Sequence, residues 1–82
     1  MNAIEKKIEE LRAVANVVDK LEYYINDEDT QAKYYADKIT ESEANGEEIS
    51  DDNYYVRCMR EHINSGNIFK ELNGYLEKKY LK

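Results

Sequence analysis

Residues 2–25, NAIEKKIEELRAVANVVDKLEYYI, decide how this chain folds. Their apolar side chains recur every three or four positions, which places them along one side of an α-helix. A helical stripe of this length has to be covered by the rest of the chain or by a second copy of it. We predict that the stripe is an assembly surface, made of Ile4, Ile8, Leu11, Val14, Val18, Leu21 and Ile25.

The first helix begins at Asn2, a favourable N-cap residue, with Glu5 at the capping-box spacing. Its other end is ambiguous, because residues 26–30, NDEDT, are five polar residues without glycine or proline. Asp29 or Thr30 can cap a second helix that turns the chain back. Alternatively, one helix continues and keeps the pairs Tyr23-Tyr24 and Tyr34-Tyr35, three turns apart, on one side.

The rest of the chain also has helical patterns. Asn45-Gly46 is a helix stop, Ser50 is a cap for a third helix, and Asn64-Ser65-Gly66 is a second stop. We predict an all-α fold in a single domain, residues 1–82: a small antiparallel bundle of three or four helices organised on the long N-terminal amphipathic helix. The helices cover about residues 2–26, 30–45, 51–64 and 67–81, with the first two continuous if the chain does not turn at 26–30.

The size of the chain favours self-association. It has 82 residues, and a core of that size supplies only about 3–5 kcal/mol of net stability. Its one cysteine, Cys58, cannot close an intramolecular disulfide, and with the one histidine, His62, it is too few ligands for structural zinc. We therefore expect a homodimer through the stripe of the first helix.

Charge limits the choice of partners. The formal net charge is −6, whereas binding to nucleic acid or to an anionic membrane needs clustered Lys and Arg. No apolar run is long enough to span a membrane, and the N-terminus lacks the apolar core of a signal peptide. We expect a cytoplasmic protein that binds neither nucleic acid nor membranes.

Two features are candidates for a partner surface. The segment ESEANGEEISDD, residues 41–52, carries six acidic side chains and no basic one. Tyrosine occurs eight times, and it is common at interfaces because it combines a large apolar area with a polar hydroxyl. Of each tyrosine doublet, one member turns away from the core. The predicted partner surface comprises Glu41, Glu43, Glu47, Glu48, Asp51, Asp52, Tyr24, Tyr34 and Tyr54.

The sequence offers little for catalysis. Cys58 and His62 have the i,i+4 spacing of a helical pair, the one arrangement here that resembles an activated thiol. The acidic run agrees only in part with a calcium-binding loop, and three scattered glycines cannot form a phosphate loop. We expect no enzyme activity, no metal and no cofactor.

Two segments, IEKKIEELR and FKELNGYLEKKY, resemble helices of the small bacterial helical-hairpin phosphatases that act on sporulation regulators. That family carries a Ser-Gln-Glu-Leu-Asp core, where this chain has Phe69-Lys70-Glu71-Leu72-Asn73. The polar pair and the final acid are absent. The resemblance therefore implies no site residue and no activity.

The function that we expect is non-enzymatic protein binding or assembly by a small acidic helical module, whose partners are itself and an unidentified protein. One alternative is an inhibitor whose acidic surface blocks a basic nucleic-acid-binding groove. A second is a nucleotide or small-ligand binder at a subunit interface, using tyrosine and lysine.

Overall fold

The computed structural model describes residues 2–81 and has two helices, α1 (Ala3–Ala44) and α2 (Tyr54–Tyr80). They are joined by residues 45–53 and pack against each other as an antiparallel hairpin, 66 × 18 × 16 Å in extent. The expected all-α fold is confirmed. The expected number of helices is wrong, since there are two rather than three or four.

Helix α1 continues through residues 26–30, so the expected break in this segment is wrong. Thr30 does not cap a new helix; its hydroxyl donates to the carbonyl oxygen of Asn26, one turn back, at 2.8 Å. Without glycine or proline in this segment, each residue costs a helix only a few tenths of a kcal/mol relative to alanine, up to about 0.7. Packing against α2 is enough to offset that cost. The alternative of one continuous helix is thus confirmed.

Helix α2 likewise continues through Asn64-Ser65-Gly66, so the expected stop there and the expected start at Asn67 are wrong. Gly66 is buried inside the helix and faces α1, with room for a side chain no larger than a methyl group in ordinary contact. A Cβ at this position would lie 3.5 Å from the Cβ of Glu28. Glycine here marks the contact between the helices rather than a helix end.

Asparagines lie at three of the four helix ends. Asn2 accepts from the backbone N–H of Glu5 at 2.8 Å, which confirms the predicted cap. The stop at Asn45-Gly46 is also confirmed, and Gly46 takes a φ of 85°, which favours glycine. Asn53, rather than Ser50, caps α2 by accepting from the backbone N–H groups of Tyr55 and Val56.

The contact line between the helices, here called the seam, is only one or two side chains deep. Within residues 2–81, the buried apolar side chains are Val18 and Leu21 from α1 and Val56 from α2. The half-buried residues of α2 follow steps of three and four, the spacing of antiparallel helix pairs. The α2 residues of the seam are Tyr55, Val56, Met59, His62, Gly66, Phe69, Asn73, Leu76 and Tyr80.

Helix α1 is longer than α2 by about four turns, and most of the excess lies at its N-terminal end. Residues 2–10 are all exposed, including Ile4 at 73% and Ile8 at 44%. The first two turns of α1 therefore extend beyond the end of α2 with their apolar side chains uncovered.

Candidate protein-interaction surfaces

Polar contacts across the seam fix how the two helices are aligned. His62 Nδ1 lies 2.6 Å from Glu28 Oε2, and its Nδ1–H donates to the carboxylate because an ionised carboxylate only accepts. The His62 ring also stacks on Tyr35 at 5.7 Å between centroids. Further along, Lys70 Nζ lies 3.4 Å from Asp29 Oδ1.

These contacts also distinguish the two long sides of the hairpin. Glu28 is a seam residue of α1, since it contacts His62 and Gly66. Asp29 directly follows Glu28, and Lys70 directly follows the seam residue Phe69. Because Asp29 and Lys70 pair, positions that directly follow seam residues share one side of the hairpin. We call it the charged side. By the same geometry, Val17 and Leu72, which directly precede the seam residues Val18 and Asn73, lie on the opposite side.

The opposite side carries a group of exposed apolar residues that we call the apolar flank. Its members come from both helices and lie at similar heights along the hairpin. They are Val17, Tyr24, Ile68, Leu72 and Tyr75, each 44–64% exposed. The sequence did not predict this group, because the expected stop at Asn64-Ser65-Gly66 ended the helix before Ile68 and left the alignment of Leu72 and Tyr75 with α1 undefined. The sequence pattern that would have indicated it is a second apolar stripe in each helix, whose members directly precede the residues of the seam.

The tyrosines predicted for a partner surface are all exposed. Tyr24 belongs to the apolar flank and packs against Phe69, with ring centroids 5.8 Å apart. Tyr34 and Tyr54 are on the same side, nearer the loop, where both rings contact Tyr35 edge to face. The structure thus brings the three predicted tyrosines to one side of the hairpin.

Tyr54 and Lys79 have shifted proton affinities. A hydrogen bond with the Cys58 thiol, then the charge of its thiolate, and then Tyr35 raise the pKa of Tyr54 to about 12. Hydrogen bonds with Tyr75 and Tyr80 raise the pKa of Lys79. Tyr54 therefore stays an uncharged phenol, and Lys79 stays a cation, throughout the physiological pH range.

The predicted acidic residues lie at the loop end of the hairpin, and all six are exposed. They are spread over the last turn of α1, the loop and the turn before α2. They therefore do not form one compact patch with the three tyrosines. Two have basic neighbours within the chain: Asp51 Oδ1 lies 3.2 Å from Arg60, and Glu41 Oε2 lies 3.7 Å from Lys38.

The predicted assembly stripe of α1 is divided into covered and uncovered parts. Its middle lies under α2, with Val18 and Leu21 buried, while Ile4 and Ile8 are exposed. Leu11, Val14 and Ile25 are half-buried. Its role in assembly stays a prediction, but within one chain α2 already occupies most of it.

His62 Nδ1 pairs with Glu28 at 2.6 Å, and the side-chain hydrogen bonds found within residues 2–81 include none between Cys58 and His62. Among residues 2–81, no pocket is found and no group of three His, Cys, Asp or Glu side chains is placed to hold a metal ion. Neither helix, over that same range, has an apolar stretch that would cross a bilayer.

No protein-family model, curated protein or solved structure matches the chain. The resemblance to the hairpin phosphatases therefore contributes nothing further. Any function has to rest on the geometry and chemistry of the described residues alone.

Proposed function

We propose that this chain is a non-enzymatic protein-binding module that works as a homo-oligomer. The observation that carries the proposal is the amount of surface that the hairpin exposes. The chain has 6443 Å² of accessible surface, whereas a compact monomer of 9.7 kDa exposes about 5,100 Å². The excess is about 1,300 Å², more than the roughly 800 Å² that each partner buries in a standard protein–protein interface.

The thin seam supports the same proposal. Two helices packed on a single line bury few side chains, and a chain of this size needs a further source of stability. Large apolar side chains meanwhile remain exposed, with Ile4 at one end and the apolar flank on one side. Covering them with protein would supply the missing hydrophobic stabilisation, at about 25 cal/mol per Å² of apolar area.

The test is the molar mass in solution, measured by light scattering after size exclusion over a hundredfold range of concentration. We expect twice 9.7 kDa or a higher multiple at the upper end. We also expect the thermal midpoint to rise with concentration, because association stabilises the folded chain by mass action. A mass of 9.7 kDa throughout, with a midpoint independent of concentration, would contradict the proposal.

A second candidate function is suggested by the acidic loop end. Residues 41–52 place six exposed carboxylates at one end of a narrow rod, a shape that fits a basic groove. Such an inhibitor would bind a nucleic-acid-binding protein with an affinity that falls steeply as salt rises. The measurement is competition with DNA for a basic DNA-binding protein at low and at high salt, about 50 and 300 mM. Equal binding at both concentrations would remove this candidate.

A further inference from the structure

The apolar flank has a spacing that matches itself after a two-fold rotation. Val17 and Tyr24 are seven residues apart in α1, and Ile68 and Tyr75 are seven residues apart in α2. Each pair has a smaller aliphatic residue at one end and a tyrosine at the other. Leu72 lies between the members of the second pair.

The two pairs are also centred at the same height along the hairpin. Gly66 lies against Glu28, so Leu72, further along an antiparallel helix, is level with about residue 22 of α1. The midpoints of the two pairs therefore lie within about 3 Å of each other along the helix axes, at 1.5 Å per residue. A single two-fold axis, perpendicular to the helix axes and lying along the surface of the flank, can therefore pass over both midpoints.

Rotation about that axis brings complementary side chains together. Val17 meets the partner's Tyr24, Ile68 meets the partner's Tyr75, and Leu72 lies beside the partner's Leu72. Each small residue thus faces a large one, and the contact is the same from either subunit, as a two-fold interface requires. Both helices would then have two helical neighbours, as in a four-helix bundle.

The distribution of charge agrees with a second copy as the occupant. Lys20, Asp27 and Lys79 each directly precede a seam residue and therefore lie on the same side as the flank, with Lys20 between Val17 and Tyr24. This side carries both signs although the chain as a whole has a net charge of −6. A symmetric pair can have its two acidic loops at the same end or at opposite ends, and repulsion between the loops favours opposite ends. Loops at the same end would place twelve carboxylates side by side, whereas loops at opposite ends lie about 70 Å apart.

We propose that a second copy of this chain binds the apolar flank, antiparallel and with its loop at the opposite end, to form a two-fold symmetric four-helix bundle. The inference rests on the proposed function and names its partner and surface. The overlapping length of the two flanks, from Val17 to Tyr24 and from Ile68 to Tyr75, forms the centre of the interface. The excess surface of about 1,300 Å² per chain is sufficient for a dimer of this kind.

Two lysine substitutions at equally exposed leucine and isoleucine test the surface. Ile63 directly follows the seam residue His62 and therefore lies on the charged side, like Lys70 after Phe69. Leu72 on the apolar flank and Ile63 are both 44% exposed. Leu72→Lys should raise the dissociation constant of the dimer by about tenfold or more, since central apolar contacts dominate interfaces. Ile63→Lys should leave it within about threefold. Molar mass by light scattering reports both, and circular dichroism reports whether each variant is folded.

A cross-linking experiment keeps the proposal testable if Leu72→Lys fails to fold. In a Cys58→Ser background, Leu72→Cys should form a disulfide-linked dimer readily, because the two positions meet near the axis and a disulfide needs Cα atoms within about 7 Å. Ile63→Cys in the same background is the matched control and should stay monomeric on a non-reducing gel. A wild-type monomer at all concentrations would overturn the proposed function as well. A wild-type dimer in which the two positions behave alike would overturn only this inference.

Discussion

The two long sides of the hairpin contain similar kinds of exposed residue but arrange them differently. On the charged side, Ile63 is a single apolar residue near the Asp29–Lys70 pair. On the apolar flank, Leu72 has the same exposed fraction but lies between Ile68 and Tyr75, with Val17 and Tyr24 across the seam. Exposure alone therefore does not distinguish the two sides, whereas the grouping of apolar residues from both helices does, and such grouping is the feature expected of an interaction surface.

The largest effect is expected from two neighbouring valines of α1. Val18→Asp places a carboxylate in the seam, where it costs about 3 kcal/mol or more, a large part of the stability of so small a chain. We expect loss of most helical signal in circular dichroism at room temperature.

Val17→Asp is the control, since Val17 is 45% exposed on the apolar flank. It should keep the helical signal at high protein concentration while the molar mass falls to that of one chain. Equal loss of helix in both variants would mean that the seam does not stabilise the hairpin more than the flank does.

The three glycines should respond to alanine in different directions. Gly74 has nothing within 4 Å, so Gly74→Ala should stabilise α2 by about 1 kcal/mol through helix propensity. Gly46 has a φ of 85°, so Gly46→Ala should destabilise by about 1 kcal/mol or more. Each kcal/mol corresponds to a shift of about 4–8 °C in the thermal midpoint. A lower midpoint for Gly74→Ala would indicate that α2 has a close neighbour at this position.

Gly66→Ala is the informative case between these two. Its new Cβ would make an ordinary contact with the Cβ of Glu28 at 3.5 Å, so we expect little change or a small gain in stability. A bulkier side chain, as in Gly66→Leu, should separate the helices and lower the midpoint. Differential scanning calorimetry of the two variants checks the alignment of α1 and α2 directly. If leucine were tolerated as well as alanine, the helices would not approach closely here.

Polar contacts should contribute less than the apolar ones. His62→Ala removes a half-buried hydrogen bond to Glu28 and a ring stacked on Tyr35, which together contribute about 1–2 kcal/mol. Lys70→Ala removes a pair on the charged side whose two side chains are at least half solvent-accessible, so it should cost at most about 0.5 kcal/mol. Urea unfolding gives the free energy of unfolding of both variants. A larger decrease for Lys70→Ala than for His62→Ala would contradict the view that the half-buried contact at His62 is the stronger of the two.

The smallest effect concerns one tyrosine near the loop. The Cys58 thiol is the main reason why the pKa of Tyr54 is raised to about 12, so Cys58→Ala should lower that pKa toward about 10. Ionisation of Tyr54 opposes the folded arrangement, so its contribution is present below about pH 10 and is lost as the pH rises toward about 12. The chemical shift of the Tyr54 ring, followed by NMR from about pH 9 to 12, measures the change. Tyr23 is a control, because its ring packs edge to face on Tyr24, well away from Cys58 along the hairpin.

Local sequence signals predicted the features that depend on local chemistry. Asn2 as a cap and Asn45-Gly46 as a stop are both found, because capping geometry needs only a few neighbouring residues. The breaks at residues 26–30 and 64–67 were wrong for the opposite reason. There, helix and turn differ by a small free energy, and contacts with the other helix, such as Gly66 against Glu28, decide the outcome.

The candidate surface could be predicted only in part. The doublets predict that at least one of Tyr24, Tyr34 and Tyr54 is partly exposed, since adjacent residues in a helix differ by about 100° in direction, but they do not predict that all three are. The apolar flank does not follow from either helix alone. Val17 and Leu72 share a side only once the seam and its alignment are known, and these depend on pairing between distant parts of the chain.

Small-angle X-ray scattering of the unmodified chain tests the proposed bundle most directly, because it reports mass and length together. The hairpin alone is 66 Å long, and the side-by-side bundle with loops at opposite ends should be only slightly longer, about 75 Å along the helix axes. We therefore predict twice the mass of one chain with little increase in length. Twice the mass with a length above about 110 Å would mean that the chains join end to end through the exposed start of α1, and would contradict the side-by-side bundle.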